Sequence, residues 1–133
     1  MGFVVGAKAS ANKDAAYSNL AKARKYEEEV KTLQLLCKAI RMRANMFERL
    51  LIKLDSIFQP LTDSLSNIIL TSGTDYSLYS KEEKAIVAAC LSVVKAIKAV
   101  LDTPILTEEG NLTDESAAIV APVQKIIESY AEK

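Results

Sequence analysis

Apolar residues recur through the first half of the chain at alternating spacings of four and three, which is the heptad pattern of an amphipathic helix. The pattern predicts one long helix over about residues 10–70. Leu36, Leu50 and Ile57 widen the apolar stripe, as expected for packing in a multi-helix bundle rather than in a two-stranded coiled coil. The a positions are Val30, Cys37, Ala44, Leu51, Phe58 and Leu65, and the d positions are Tyr26, Leu33, Ile40, Phe47, Leu54, Leu61 and Ile68.

Few residues interrupt this long helix. No Gly or Pro occurs between residues 7 and 59, and Pro60 falls on an outer c position, where it predicts a kink. Upstream of the stripe the same register continues with small or polar residues, so residues 1–25 could form an N-terminal extension of the helix. Gly73 is a natural C-terminal cap. The sequence leaves open whether the helix breaks near Asn45 or at Pro60.

Two shorter helices are predicted in the second half of the chain. Ser80 and Glu83 have the capping-box spacing, which begins a helix over about residues 81–102. This helix is apolar almost all round, which favours a central position in the bundle. Short apolar runs around a Glu-Glu-Gly-Asn turn predict a small hairpin-like loop at residues 105–113. A third helix is predicted over about residues 114–131.

Pro122 lies inside this third helix and predicts a kink there. The three helices and the high content of Ala, Leu, Ile and Val are typical of an all-α protein. We therefore predict a helical bundle in a single domain of residues 1–133.

The long helix is too long to be covered by the rest of the chain. At about 1.5 Å per residue, residues 10–70 span about 90 Å, whereas the two shorter helices span about 33 and 27 Å. The shorter helices follow residues 44–70 in sequence, so the stripe over residues 26–43 is expected to stay bare. Apolar ridges of this kind mark interaction sites. We call the predicted site the Leu33 face, which consists of Tyr26, Val30, Leu33, Leu36, Cys37 and Ile40.

Three arrangements could cover the Leu33 face. A second copy of the chain could cover it, another protein could do so, or the helix could break near Asn45 and fold back. The expected function is a non-enzymatic protein–protein interaction or assembly module, and among its partners we favour a homo-oligomer, with a dimer first.

Charge is unevenly distributed along the chain. Residues 1–53 contain eleven Lys and Arg and five Asp and Glu, a net charge of +6, whereas residues 54–133 have a net charge of −6. Such a distribution favours head-to-tail or antiparallel contacts, or an anionic partner for the first half. It is equally expected for two solvated faces of a compact fold whose charges neutralise each other. Nucleic acid is an unlikely partner, because Glu27, Glu28 and Glu29 interrupt the basic half and no aromatic residues interleave with it. Binding of the basic amphipathic helix to a membrane surface is the alternative function.

The sequence has no signature of catalytic chemistry, so an enzyme with an unconventional site is among the least favoured functions. The chain has no His, the commonest general base and metal ligand, and we predict no catalytic, cofactor or metal site. Glu48 and Asp55 lie seven residues apart on one helix face, too far to share a proton or a metal. Cys37 and Cys90 are predicted to be buried free thiols. Nothing demands an oxidising compartment and no apolar run is long enough to span a membrane, so we expect a cytoplasmic protein.

Overall fold

The computed structural model describes the backbone of residues 2–131 and the side chains of residues 9–131. Within that range the chain forms four α-helices: α1 (Gly2–Ser72), α2 (Lys81–Asp102), α3 (Asp114–Ala118) and α4 (Val120–Ala131). A 3₁₀ turn, Tyr76–Leu78, connects α1 to α2. Two compact units are present, residues 1–39 and residues 40–133. The predicted all-α class, with one long first helix, is confirmed.

Helix α1 is continuous through both positions at which a break was considered. It passes Asn45 and contains Pro60 in its interior. Pro60 is exposed, as its c position predicts. Because proline has no N–H and its ring approaches the carbonyl of residue i−4, the carbonyl of Ser56 loses its usual helical donor. The fold-back near Asn45 that the sequence left open is therefore not found.

The end of α1 is set by glycine geometry and a buried tyrosine. Gly73 has φ +76°, a left-handed conformation that suits glycine, and its N–H donates to the carbonyl of Ile69 at 3.0 Å. The hydroxyl of Tyr79 donates to the carbonyl of Gly73 at 2.6 Å, and its ring is buried. Tyr76, in the same connection, is half exposed. These bonds turn the chain directly into the start of α2.

Helix α2 begins and ends where the sequence predicted. The Ser80 side chain accepts from the N–H of Glu83, and the Glu83 carboxylate accepts from the N–H of Ser80, each at 3.1 Å. This reciprocal pair is the predicted capping box. Glu83 also accepts a 2.6 Å hydrogen bond from the hydroxyl of Ser72, which ties the start of α2 to the end of α1.

The core of residues 40–133 is formed by α1, α2 and α4. On α1 the buried positions are d and g, while the a positions Leu51 and Phe58 are only partly buried. The other helices therefore cover the d and g side of α1 more completely than its a side. The fully or largely buried members are Phe47, Leu50, Leu54, Val93, Ala96, Val100, Val123 and Ile127.

The prediction that α2 is a central helix is wrong in one respect. Its buried side is narrow, and Leu91, Val94 and Leu101 on its other side are 55%, 41% and 66% exposed. A helix that is apolar all round has no sequence signal for which side packs, and in this unit only one side of α2 has neighbours.

The last third of the chain contains the predicted hairpin-like loop and a divided helix. Leu106 and Leu112 form an isolated antiparallel bridge. The kinked helix expected over residues 114–131 is present as α3 and α4, which are separated by Ile119 alone. Ile119 keeps helical φ and ψ, and its N–H donates to the carbonyl of Glu115 at 3.1 Å. Pro122 explains the division, because it cannot donate to the carbonyl of Ala118, four residues earlier.

Candidate interaction surface

Five of the six residues of the Leu33 face belong to the unit of residues 1–39, and the sixth belongs to residues 40–133. Tyr26 and Leu33 are 69% and 59% exposed, and Cys37 is also exposed. Val30 and Leu36 are partly buried, and so is Ile40, the one member that belongs to residues 40–133. The described part of the unit of residues 1–39 contains only α1, so no second element of that unit covers the face.

The two cysteines have different environments. Cys90 is buried, its thiol lies 3.4 Å from the carbonyl of Leu61, and burial raises the pKa of that thiol. Cys37 is exposed in the single chain, so the prediction of a buried thiol is correct for Cys90 and wrong for Cys37. Both cysteines are free. An apolar heptad position predicts which face a residue occupies, but not whether anything packs on that face.

Charged side chains border the Leu33 face at the e positions. Glu27 and Arg41 lie fourteen residues apart on this edge, with the neutral Gln34 midway. Glu27 forms an exposed ion pair with Lys31 at 3.3 Å. Exposed ion pairs of this kind contribute roughly 0–1 kcal/mol to stability. The carboxylate of Glu27 can therefore exchange Lys31 for another cation at little cost.

Within residues 40–133, the g side of α1 is covered by other parts of the chain from Arg43 onwards. Its guanidinium Nη1 donates to the hydroxyl of Ser116 at 2.7 Å, and the Ser116 hydroxyl donates to the carbonyl of Thr113 at 3.0 Å. Ser116 has no exposed surface. Thr113 caps α3 by accepting from the N–H of Ser116 at 3.1 Å. Sequence analysis missed this network, because no local pattern relates positions 73 residues apart.

An apolar groove of about 560 Å³ lies in the same unit, between α1 and the C-terminal end of α2. We call it the α1–α2 groove. Ile52 and Leu101 stand exposed at its edge, 61% and 66% of their surface being open to solvent. Its lining residues are Ala44, Phe47, Glu48, Leu51, Ile52, Asp55, Val100, Leu101, Thr103 and Ile105.

The polar groups of the α1–α2 groove are mainly two carboxylates. Glu48 and Asp55, which the sequence placed on one helix face, both line the groove. Asp55 accepts a 3.0 Å hydrogen bond from the side chain of Gln59 through one oxygen, Oδ2. An apolar floor with two carboxylates one heptad apart suits an apolar segment that carries cations beside it.

A second open cavity, of about 500 Å³, lies between α1, α2 and α4. Pro60, Ala85, Ala89 and Tyr130 are among the residues that line it, and none of its lining residues carries a charge. The hydroxyl-bearing side chains that line this cavity are those of Ser56 and Tyr130.

The described residues contain no cluster of three or more His, Cys, Asp or Glu side chains that could hold a metal ion. In the same part of the chain, no helix is long and apolar enough to cross a membrane. Comparison with protein-family models, with curated proteins and with solved structures finds no match for this chain.

Proposed function

We propose that this chain is a non-enzymatic interaction or assembly module, which self-associates or docks a protein partner through the Leu33 face of α1. The observation that carries the proposal is a continuous helix with exposed large apolar side chains at heptad positions, notably Tyr26 and Leu33. Both cysteines are free, which fits the expected cytoplasmic location.

The energetics of helix formation and of apolar burial support a partner for this helix. An isolated helix receives most of its stability in proteins from packing of its apolar face, and a helix without such packing is marginal in water. Full burial of one Leu side chain contributes roughly 1.5–3 kcal/mol relative to exposure. A partner that covers Leu33 and its neighbours would therefore stabilise both the complex and the helix.

The sharpest test replaces Leu33 with Asp and measures the mass in solution. We expect Leu33→Asp to dissociate the assembly, because a carboxylate cannot be buried in an apolar contact without a large desolvation cost. Leu35→Asp is the matched control, since Leu35 lies on the outer f position and is 69% exposed. Sedimentation velocity at several concentrations gives the mass, and circular dichroism checks that helix content is retained.

Ile40→Asp is expected to dissociate the assembly as well, but it is the less clean variant. Ile40 is partly buried within residues 40–133, so its replacement also disturbs packing inside the chain. If Leu33→Asp and Leu35→Asp have the same mass as the wild type at every concentration, the Leu33 face is not the site of self-association. Docking of a protein partner is then tested by pull-down with the intact face and with Leu33→Asp.

Binding to a membrane surface is the second candidate. Arg24, Lys31 and Lys38 occupy exposed b positions beside the Leu33 face, an arrangement that suits anionic headgroups. Flotation with anionic vesicles at low salt tests this function, and a chain that stays entirely with the soluble fraction would contradict it.

A further inference from the structure

We infer that the α1–α2 groove receives the N-terminal part of α1 from a second copy of this chain, with the two α1 helices antiparallel. The inference rests on the proposed function and deepens it, because it names the partner, its direction and the second surface that it contacts. The contact is isologous: each copy presents both the groove and the segment that fills the groove of the other.

The length of the bare stripe selects the register of the two helices. Residues 26–43, which carry the Leu33 face, are matched against themselves when the two-fold axis passes near Leu35. Leu33 then lies opposite the partner's Cys37, and Val30 lies opposite the partner's Ile40, as a and d positions do in antiparallel coiled coils. Every heptad position of the bare stripe finds an apolar position on the other copy.

Charge at the e positions supports the same register. It places Glu27 opposite the partner's Arg41 and Lys13 opposite the partner's Asp55, so both charged pairs have opposite signs. The neutral Gln34 lies opposite the same residue of the partner. Opposite charges at flanking positions set the orientation and partner choice of paired helices.

Registers shifted by one heptad are disfavoured by like charges. A shift in one direction places Lys22 opposite the partner's Arg43, and a shift in the other direction places Glu27 opposite the partner's Glu48. Like-charge contacts of this kind act against a wrong alignment. The register centred near Leu35 avoids both of them.

The same register carries the first part of the partner's helix along the α1–α2 groove. Residues 13–26 of one copy run beside residues 44–55 of the other. Ala16 and Ala23 occupy a positions there, and their small side chains let the helix approach the groove closely. Leu20 is the large aliphatic residue of this segment and is 47% exposed in the single chain. In this register it lies opposite Glu48, which lines the groove.

The charge of the whole chain favours this occupant over a foreign protein. The first half of each copy carries +6 and the second half −6, so antiparallel copies place opposite halves side by side. Parallel copies would place halves of like charge side by side and would leave both grooves empty.

A substitution at the groove edge tests the inference separately from the proposed function. We expect Leu101→Glu to weaken self-association about tenfold or more, because it adds a third carboxylate to the groove at a contact worth roughly 1.4 kcal/mol or more. Leu91→Glu is the matched control, since Leu91 lies on the same helix, is 55% exposed and does not line the groove. Sedimentation equilibrium gives both dissociation constants.

Charge exchange tests the pair at the far end of the contact. Asp55→Lys should weaken self-association, and Lys13→Glu added to it should restore the wild-type affinity. Asp63→Lys makes the same change of charge on an exposed outer position of α1 and should have little effect. Failure of the double variant to recover affinity would contradict the Lys13–Asp55 pairing.

The native Cys37 reports the direction of the helices. In the antiparallel register Cys37 lies opposite the partner's residue 33, so oxidation should link Leu33→Cys chains between positions 33 and 37 but should not link wild-type chains. In a parallel dimer two Cys37 residues would meet and the wild type would form a disulfide. Peptide mapping identifies the linked residues.

These outcomes separate the two ideas. Dissociation by Leu33→Asp together with a wild-type Cys37 disulfide, or with no effect of Leu101→Glu, overturns the antiparallel groove contact and leaves the proposed function standing. A wild-type chain that stays monomeric at all concentrations overturns the antiparallel contact and the self-association form of the proposed function, and the pull-down then decides whether the Leu33 face docks a protein partner.

Discussion

At the scale of single residues, Glu83 joins two helices with one carboxylate. Its Oε2 accepts from the hydroxyl of Ser72 at 2.6 Å and its Oε1 accepts from the N–H of Ser80 at 3.1 Å. These bonds, first from Ser72 and then from Ser80, hold the pKa of Glu83 below its ordinary value. The spacing from Ser80 to Glu83 predicted the capping box, but the bond to Ser72 depends on how α1 and α2 meet.

Glu83→Gln should reduce the pH dependence of stability. A carboxyl group whose pKa is lowered by folding stabilises the protein above its ordinary pKa, and this contribution is lost as the pH falls through the folded pKa. The wild type should therefore lose stability on acidification from about pH 5 to pH 3, and Glu83→Gln should have a flatter profile. Urea unfolding at several pH values measures both.

Glu82→Gln is the control for this measurement. It makes the same change of charge in the same helical turn, at an exposed side chain that is not part of the capping box. Equal profiles for Glu83→Gln and Glu82→Gln would mean that general charge at the helix N-terminus, rather than the two hydrogen bonds, causes the dependence.

At the scale of elements, Pro60 and Pro122 have different effects although both were predicted to kink a helix. Pro60 lies in the interior of α1, which continues on both sides of it. Pro122 lies near the start of α4, and the preceding helix ends at Ala118. Pro60 lies within the long packed stripe of α1, whereas Pro122 follows the five-residue α3, and the irregularity there is limited to Ile119, which keeps helical φ and ψ.

Replacement of Pro60 by Ala should stabilise the protein by about 1–3 kcal/mol, because alanine restores the hydrogen bond to the Ser56 carbonyl and removes the ring contact. Urea unfolding measures the change. Gln59→Ala, at the adjacent exposed position, should stay within about 0.5 kcal/mol of the wild type. A destabilising Pro60→Ala would instead indicate that the proline ring packs usefully at the cavity lined by Tyr130.

At the scale of the whole molecule, two compact units share one helix. Residues 40–133 contain the core, whereas the described part of residues 1–39 contains α1 alone. Local helical hydrogen bonds are present in both units, but in the described part of residues 1–39 no other element of that unit packs against α1. The first unit therefore responds most to the presence of a partner.

Amide hydrogen exchange should reveal this difference. In Leu33→Asp we expect amides of residues 9–39 to exchange faster than those of residues 44–72, because a single unpacked helix opens easily. In the wild type, protection of residues 9–39 should rise with protein concentration as copies associate. Protection that does not change with concentration would contradict self-association through this part of α1.

The sequence by itself determined the helices, because their signals are local. The heptad stripe predicted the long α1 but left open a break near Asn45 or Pro60, the capping box predicted the first residue of α2, and the Glu-Glu-Gly-Asn turn predicted the hairpin-like loop. The candidate Leu33 face followed from the same stripe compared with the lengths of the other helices.

Only the tertiary structure decided which apolar surfaces are covered. The packing of α2 and α4 buries the d and g side of α1 and leaves Leu101 and Ile52 at an open groove. The contact of Arg43 with Ser116 joins residues far apart in sequence. Periodicity states which face of a helix is apolar, but burial depends on what the rest of the chain places against that face, and this is a property of the fold.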